Sequence, residues 1–252
     1  MVLAAVGQLC ATASITSNLA QCQNLIQKTA AAGAKVLFLP EASDYIASSA
    51  DESLASLDRQ IKETLSSKQR LKNSLIWIDD KGVITQSYQK IHLFDVDIKD
   101  GPVLKESASV QPGNEILPPF ETPVGRVGLA ICFDLRFPEI SLALRRQKAD
   151  IITYPSAFTV PTGKAHWESL LRARAIETQS YVIAAAQAGP HNEKRRSYGH
   201  SMIVNPWGEI VAELGEDHDE PQIATADIDL SLVAKIRREI PLLRRTDLYP
   251  EV

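Results

Sequence analysis

Three residues have side chains that together could hydrolyse an amide: Glu41, Lys90 and Cys132. A cysteine attacks a carbonyl carbon as a thiolate, so it needs a nearby positive charge or a base that takes its proton. Lys90 can supply the charge and Glu41 the base. The lysine and the backbone N–H after the cysteine would stabilise the oxyanion, and the carboxyl group would carry the proton to the departing amine. Water activated by the same carboxylate would then release the acid.

Each of these side chains also has an ordinary structural explanation. A lone cysteine in an apolar strand is commonly a small buried hydrophobic residue. A glutamate that follows Leu39 and Pro40, and a lysine that ends a hairpin arm, are commonly solvated. Residue type and spacing alone therefore leave the hydrolase and the structural explanation open.

The predicted secondary structure places Glu41 at the end of a strand. Residues 2–9 form an apolar run of strand length, residues 17–32 have helical spacing, and residues 36–39 form a short buried strand. This strand–helix–strand order is typical of a parallel βαβ unit, in which the carboxyl ends of strands present functional residues.

Lys90 and Cys132 follow two later strands. Residues 74–78 and 83–89 flank a turn and are predicted to form a hairpin whose second arm ends before Lys90. Residues 124–131 form an apolar strand that runs into Cys132, at a strand-to-helix elbow. The remaining predicted elements are helices at 138–147, 165–178 and 230–239, strands at 151–154, 181–187 and 222–227, and a hairpin over 198–213.

The composition argues against a nucleic-acid-binding protein. The 252 residues carry 27 Lys and Arg against 31 Asp and Glu, a net charge of −4, whereas a face that contacts phosphates is basic. Hydrophobic residues make up 44% and charged residues 23%. A sizeable core, folded as one domain over residues 1–252, is therefore expected.

The sequence also predicts the compartment and the absence of a cofactor. No apolar run approaches the roughly 20 residues that cross a bilayer, and residues 1–10 lack a basic leader pattern. The three cysteines form no CxxC pair, which suits a reducing compartment. We therefore expect a cytoplasmic protein, with a mitochondrial pool left open. We expect no membrane partner, no cofactor and no metal ion, since the histidines lack helix-face spacing.

Several segments resemble the signature segments of the nitrilase (carbon–nitrogen hydrolase) superfamily and occur in the order found in that family. Three of them carry the candidate residues: Phe38-Leu-Pro-Glu41, Tyr88-Gln-Lys-Ile-His-Leu-Phe-Asp95 and Gly128-Leu-Ala-Ile-Cys-Phe-Asp-Leu-Arg-Phe-Pro-Glu139. The others are Tyr154-Pro-Ser-Ala-Phe158, Ala165-His-Trp-Glu168, Arg172-Ala-Arg-Ala-Ile-Glu177, Tyr198-Gly-His-Ser201, Asn205-Pro-Trp-Gly208 and Arg245-Thr-Asp-Leu-Tyr249. The resemblance covers nearly the whole chain.

The resemblance implies a fold and an assembly. The fold is α/β with four layers, an αββα sandwich in which helices cover two packed sheets. Two such chains are expected to pair through helices into an αββα–αββα homodimer. The tail over residues 241–252 is expected to cross that interface.

The resemblance also implies the role of each site residue. Glu41 would be the general base, Lys90 the oxyanion stabiliser and Cys132 the nucleophile. Glu106 looks like the second carboxylate of the superfamily and would position Lys90 or the substrate, although an ordinary loop glutamate is the alternative. Phe133 would contribute its backbone N–H to the oxyanion hole.

Within the superfamily the chain looks most similar to the Nit amidases, and this implies a substrate. Residues 154–158 and 191–198 look like the branch that acts on deaminated glutathione. Its substrate is the alpha-keto analogue of glutathione, and a thioester route would give alpha-ketoglutarate and cysteinylglycine. The alternatives are an omega-amidase that acts on alpha-ketoglutaramate or alpha-ketosuccinamate, a nitrile hydrolase with the same triad, and a catalytically silent scaffold that binds partners.

An anionic substrate of this kind needs cationic partners. The candidates are Arg136, Lys164, Arg172, Arg174, Lys194, Arg195 and Arg196. Arg172 and Arg174 are expected instead to pair with Glu168 and Glu177 along one helix. Residues 194–196 are a charged run that is typical of a solvated loop, or of a lid over an anionic ligand.

His92, His166 and His200 raise the alternative of a Cys–His site such as that of papain-like proteases. The papain-like pattern places its cysteine near the mature N-terminus in a local Gly-Ser signature, whereas Cys132 lies in mid-chain after Gly128-Leu-Ala-Ile. The histidines are therefore expected to be structural hydrogen-bonding groups.

The chain departs from the family between Glu41 and Lys90, where it looks shorter by about one strand and its loops. A helix is expected to end near Ser67, and residues 68–73 then run directly into the strand at Leu75. A sheet that lacks one strand would expose apolar surface at its edge.

Overall fold

Two β-sheets face each other in the computed structural model, which describes residues 1–49, 52, 70–97 and 103–250. The first sheet contains β1 (Val2–Leu9), β2 (Val36–Phe38), β11 (Ala186–Pro190), β12 (Arg196–Tyr198) and β15 (Gln222–Ile228). The second contains β7 (Phe120–Thr122), β8 (Gly125–Leu129), β9 (Ile151–Thr153), β10 (Tyr181–Ala184), β13 (Met202–Val204) and β14 (Ile210–Glu213). Two separate hairpins are formed by β3 (Ser74–Ile78) with β4 (Ile84–Gln89), and by β5 (Asp95–Asp97) with β6 (Val103–Lys105).

Helices lie outside both sheets. The α-helices are α1 (Ile15–Ala31), α2 (Pro138–Arg146), α3 (Val160–Thr178) and α4 (Leu230–Glu239), and 3-10 helices span Glu106–Ala108 and Cys132–Arg136. α1 packs on β1, β2 and β15 of the first sheet, whereas α3 packs on β10 and β13 of the second and contacts α2. Side chains of both sheets, among them Val6, Phe38, Val127 and Ile183, form one core between them. The expected four-layer αββα fold is therefore confirmed.

β1 is the strand around which the first sheet is built. β15 pairs antiparallel along one edge, with Val2 opposite Ile228. Two strands pair in parallel orientation with the other edge of β1. β2 pairs with its earlier residues and β11 with its last residues. β1 is buried from Ala4 to Leu9 without polar alternation, because it is covered on both faces, by α1 and by the second sheet.

The helix boundaries follow from local chemistry. Ser14 caps α1 by accepting a hydrogen bond from the Ser17 N–H (3.3 Å), and Gly33 follows the helix with φ +77. α3 begins at Val160, earlier than the predicted residue 165. Pro161 lies in its first turn, where the missing N–H costs no helical hydrogen bond.

The predicted single strand over residues 181–187 is wrong, because the chain changes sheet within it. β10 ends at Ala184 in the second sheet, and β11 begins at Ala186 in the first. The segment is buried from Tyr181 through Gly189. An unbroken apolar run carries no polar or turn residue that would mark the change.

The hairpin β3–β4 forms as predicted, with Ser74 opposite Gln89. In the described part of the chain, β3 pairs only with β4 and β2 pairs only with β1. Ile76, Ile78 and Ile84 of this hairpin are 44%, 54% and 57% exposed. This exposure agrees with the expectation that a shortened sheet leaves apolar surface uncovered. The helix expected to end near Ser67 lies outside the described residues.

None of the helices that the structure describes is long and apolar enough to cross a membrane.

Close packing of α3 on β12 gives a first prediction. Gly163 lies on α3 where an added Cβ would overlap the ring of Tyr198. Gly163→Ala should therefore lower the free energy of unfolding by roughly 1–3 kcal/mol, although alanine is the better helix former. Urea unfolding monitored by circular dichroism measures the change. Gly215→Ala is the control, since nothing lies within 4 Å of a Cβ there. Equal stability of the two variants would contradict this account of the packing.

Candidate active site

A buried lysine lies at the centre of the candidate site. The Lys90 ammonium group is 2% exposed and contacts a Glu41 carboxylate oxygen at 2.9 Å and a Glu106 carboxylate oxygen at 2.9 Å. Both carboxylates are themselves largely buried. The structure thus brings together three of the predicted site residues, which lie far apart in the sequence.

Asn73 joins the two carboxylates. Its side-chain amide donates to Glu41 Oε1 at 2.7 Å and to Glu106 Oε1 at 3.0 Å. The Phe94 N–H donates to Glu106 Oε2 at 2.7 Å. Nothing in the sequence singles out Asn73, because a single polar residue before a strand is common in any hairpin.

Short elements place these side chains. Glu41 follows β2, and the amide of Gln187 on β11 donates to the backbone carbonyls of Glu41 (2.9 Å) and Ala42 (3.3 Å). Lys90 directly follows β4, and its N–H donates to the Asn73 carbonyl at 2.9 Å. Glu106 is the first residue of the 3-10 helix after β6. The glutamate therefore lies in an ordered turn and not in an irregular loop.

Cys132 is held in an unusual backbone conformation. It follows β8 as the first residue of a 3-10 helix and has φ +46, in the left-handed region that non-glycine residues rarely adopt. Its N–H donates to the Pro155 carbonyl at 2.9 Å. The side chain is buried, and the Glu41 carboxylate, the Lys90 ammonium group and the Ala157 N–H lie near enough to the thiol to affect its pKa. The predicted strand-to-helix elbow is present.

Burial and charge set the protonation states. Burial and the negative charge of Glu41 raise the pKa of the Cys132 thiol, against the opposing effect of Lys90. Burial alone would raise the pKa of Glu41, but the Lys90 charge and the hydrogen bonds from Cys132, Lys90 and Asn73 lower it overall. Burial alone would lower the pKa of Lys90, and Glu41, Cys132 and Glu106 raise it instead. At neutral pH the site therefore holds a thiol, a carboxylate and an ammonium group.

This arrangement suits general-base activation of a thiol. The ionised carboxylate of Glu41 lies beside the thiol that it would deprotonate. The ammonium group of Lys90 lies on the same carboxylate and can meet negative charge that develops beside the sulfur.

Phe133 follows Cys132 in the same 3-10 helix. Among the hydrogen bonds found in the described residues, none uses the Phe133 N–H. Its ring makes edge contacts with Phe94 and Phe137. The oxyanion role of this N–H remains a prediction.

Arg136 is a cation beside Cys132 without a carboxylate partner in the described part of the chain. Its guanidinium lies over the rings of Phe133 (5.8 Å) and Phe158 (5.6 Å), and Nη2 is 3.3 Å from His166 Nδ1. Burial lowers its pKa, against the opposing effect of Cys132. Arg136 therefore lies close to Cys132 and carries a charge that no carboxylate among the described residues neutralises.

The other cationic candidates are mostly engaged in structure. Arg172 pairs with Glu168 at 3.1 Å and Arg174 with Glu177 at 2.7 Å, as predicted. Arg174 is also buried and donates twice to the Leu135 carbonyl. Residues 191–194 form a bend, and Arg196 begins β12.

The histidines make structural contacts, as expected. The hydrogen bonds of His92, His166 and His200 connect them to Asp134, Arg136 and the Tyr198 carbonyl, and none of these bonds reaches Cys132. Across the residues that the structure describes, no group of three or more His, Cys, Asp and Glu side chains is placed to hold a metal ion.

Comparison with known proteins shows what this chain is similar to. The carbon-nitrogen hydrolase family pattern matches residues 3–238. A Schizosaccharomyces pombe protein named "Probable hydrolase nit2" is 50% identical over the full length of both chains. The Mus musculus "Deaminated glutathione amidase" is 44% identical, over 98% of this chain and 84% of that protein. The crystal structure of the C. elegans NitFhit protein superposes with a TM-score of 0.88 at 41% identity, and covers 98% of this chain but only 66% of that one.

The alignment with the fission-yeast protein spans 276 positions, more than the 252 residues of this chain. That relative therefore carries stretches that this chain lacks. A length difference of this kind is what a shortened connection between Glu41 and Lys90 would produce.

The charge state of Glu41 makes stability depend on pH. Because its pKa is lower in the folded protein than its usual value of 4.5, the ionised carboxylate stabilises the fold above that value. The stabilisation is lost as the pH falls through the folded-state pKa. Glu41→Gln should therefore unfold more easily than wild type by roughly 3 kcal/mol at pH 7, and the difference should shrink below about pH 4.5.

Urea unfolding of both proteins between neutral and acidic pH measures this difference. Glu168→Gln is the matched control, since its carboxylate forms an exposed pair with Arg172 and should change stability little. A difference between wild type and Glu41→Gln that stays constant down to pH 3 would show that the Glu41 carboxylate is not the stabilising group.

Proposed function

Because the chain belongs to the carbon–nitrogen hydrolase family, we propose that it is a cysteine-dependent amidase that cleaves deaminated glutathione into alpha-ketoglutarate and cysteinylglycine. The observation that carries the chemistry is the buried Lys90 ammonium group between Glu41 and Glu106, with the buried Cys132 thiol beside the same Glu41 carboxylate. The substrate is supported by the mouse relative named deaminated glutathione amidase and by the unpaired cation of Arg136.

In the first half of the reaction, the Cys132 sulfur attacks the amide carbonyl carbon while Glu41 takes the thiol proton. The carbonyl oxygen becomes an oxyanion, which the Lys90 ammonium group and the Phe133 N–H stabilise. Collapse of this intermediate breaks the C–N bond, and Glu41 passes its proton to the departing nitrogen. The amine leaves and a thioester to Cys132 remains.

In the second half, water replaces the amine. Glu41, ionised again, takes a proton from water, whose oxygen attacks the thioester carbon. The same oxyanion donors act a second time. The C–S bond then breaks and the proton held by Glu41 restores the thiol, while the acid leaves as a carboxylic acid that loses its remaining proton to solvent.

Glu106 holds Lys90 in place through this cycle. When Glu41 is protonated it no longer neutralises the ammonium group, whereas the Glu106 carboxylate, at 2.9 Å, still does. A buried ammonium group that lost all its partners would carry a large desolvation cost. Glu106 therefore lets Glu41 change its charge without displacing Lys90.

Arg136 is proposed to bind a carboxylate of the substrate. It lies four positions after Cys132 in the same 3-10 helix, and a planar guanidinium binds a carboxylate with two parallel hydrogen bonds. Both deaminated glutathione and the omega-amidase substrates are anionic keto acids. Arg136 therefore supports the class of substrate, and turnover distinguishes its members.

We test the function by measuring acid and amine release from deaminated glutathione and from alpha-ketoglutaramate in parallel. Cys132→Ala should abolish turnover of both. Arg136→Gln should raise KM by roughly 10-fold or more with a smaller change in kcat, because it removes ground-state binding. Arg172→Gln is the control, since that cation is already paired with Glu168.

The outcomes separate the alternatives. Higher kcat/KM for deaminated glutathione, lost in Cys132→Ala, supports the proposal. Higher kcat/KM for alpha-ketoglutaramate identifies an omega-amidase instead. If neither amide is turned over in a Cys132-dependent way, the protein is a silent scaffold or acts on another amide or nitrile.

We further propose that two copies form a homodimer through one apolar surface. The dimer surface comprises Ile176 at the end of α3, Trp207, Ile240 after α4, and Leu243 and Tyr249 of the tail. These side chains are 51%, 57%, 43%, 86% and 46% exposed. An exposed apolar patch of this extent is typical of an interaction site. It includes the described part of the tail that the sequence predicts to cross the interface.

The dimer proposal predicts the mass in solution. Analytical ultracentrifugation of wild type should give about twice the chain mass of 27.7 kDa. Leu243→Asp should shift the protein to monomer, because it places a charge in the interface. Leu19→Asp, at an exposed position of α1 on the other side of the molecule, should leave the dimer intact. A monomeric wild type would show that the surface has another use.

A further inference from the structure

A third carboxylate, that of Asp134, lies just behind the nucleophile and takes no part in the steps above. Asp134 is two positions after Cys132, and its side chain is 0% exposed. In the described part of the chain no Lys or Arg pairs with it, and hydrogen bonds satisfy it instead. Oδ1 accepts from the His92 N–H at 3.0 Å and faces His92 Nδ1 at 2.8 Å. Oδ2 accepts from the Tyr88 hydroxyl at 2.8 Å and from the Ile131 N–H at 2.9 Å.

These donors come from the two segments that carry the ammonium group and the thiol. Tyr88 and His92 flank Lys90 at the positions two before and two after it. Ile131 immediately precedes Cys132. Burial, together with the charge and hydrogen bond of Asp134, raises the pKa of Tyr88, so its hydroxyl stays a donor. One buried side chain thus ties the Lys90 segment to the Cys132 elbow.

The elbow needs such a tie because its backbone is strained. Cys132 has φ +46, and a non-glycine residue in this region persists only when its surroundings hold it there. The turn is closed by the Asp134 N–H, which donates to the Ile131 carbonyl at 2.9 Å. The Asp134 carboxylate closes it a second time through the Ile131 N–H. Both contacts surround Cys132 and the Phe133 N–H.

We propose that Asp134 is a positioning residue for the reaction. It sets the distance between Lys90 and Cys132 and orients the Phe133 N–H toward the oxyanion. The proposal rests on the proposed function for its catalytic consequence, but the placement of the thiol can be measured without any substrate. Asp134 itself touches none of the reacting atoms and acts through Tyr88, His92 and Ile131.

The test compares wild type, Asp134→Asn and Tyr88→Phe. Asparagine keeps the shape but replaces one acceptor oxygen with a donor, so one pair of contacts is lost. Phenylalanine removes only the hydroxyl. Asp150→Asn is the matched control: its carboxylate also accepts a backbone N–H, that of Arg126 at 3.2 Å, and pairs with Arg237. Asp150 precedes β9, at the end of the sheet opposite to Cys132.

The first measurement is the rate of iodoacetamide labelling at each cysteine, followed by mass spectrometry across pH. Asp134→Asn should label Cys132 roughly 10-fold more slowly at pH 7 and with a steeper pH dependence, because the thiol loses its alignment with Glu41. Cys10 and Cys22 should label at unchanged rates and serve as internal controls. Tyr88→Phe should show a smaller change in the same direction.

The second measurement is turnover. In Asp134→Asn kcat should fall by roughly 10- to 100-fold with KM changed little, and the effects of Asp134→Asn and Tyr88→Phe should not add in the double variant. Asp150→Asn should lower the urea midpoint while leaving kcat and labelling unchanged.

The proposal is overturned if Asp134→Asn loses stability as Asp150→Asn does while Cys132 labelling and kcat stay at wild-type values. If Asp134→Asn does not fold, Tyr88→Phe decides, and wild-type labelling in that variant overturns the proposal. If wild type turns over neither amide, the proposed function fails, while slower labelling in the variants still supports the positioning role.

Discussion

The buried ammonium group of Lys90 is the constraint on which the rest of the site depends. An unpaired cation in this position would cost several kcal/mol in lost hydration, so the fold must bring carboxylates to it. Glu41 and Glu106 come from segments on either side of Lys90 in the sequence, and each arrives at the end of a short element. The Asn73 amide lies between the two carboxylates and donates a hydrogen bond to each. Because these segments meet around the Lys90 charge, they set the positions of the charged groups beside Cys132.

The same charges explain which kind of cysteine chemistry the site supports. In a site with a preformed thiolate, positive charge dominates around the sulfur. Here burial and Glu41 outweigh Lys90 and keep Cys132 protonated, so the thiol must lose its proton during attack. The pKa of Glu41 is lowered, so its carboxylate is ionised beside this thiol. These charges agree with the proposed route, in which Glu41 takes the thiol proton as the sulfur attacks.

The sequence predicted the elements whose pattern is local. β1 and α4 have the predicted boundaries. The continuous apolar run of β1 and the helical spacing of α4 can both be seen directly in the order of residues. The change of sheet at Ala185 was missed, since a buried run reads the same in either sheet. Asn73 and Asp134 were missed for a related reason: each acts through contacts with distant segments, which a single sequence does not display. Residue chemistry suggested Glu41, Lys90 and Cys132, the family resemblance added Glu106 and the role of each residue, and the structure supplied their distances.

The change of sheet at Ala185 limits how far the two sheets can move relative to each other. Glu41 follows a strand of the first sheet, whereas Cys132 follows a strand of the second. If one sheet slid over the other, Glu41 and Cys132 would therefore move apart. A chain that passes from β10 to β11 through a single residue has almost no slack to permit such shear. The side chain of Gln187, the second residue of β11, also donates hydrogen bonds to the Glu41 and Ala42 carbonyls. The short connection between β10 and β11 therefore limits how far the two sheets can shift beside Glu41 and Cys132.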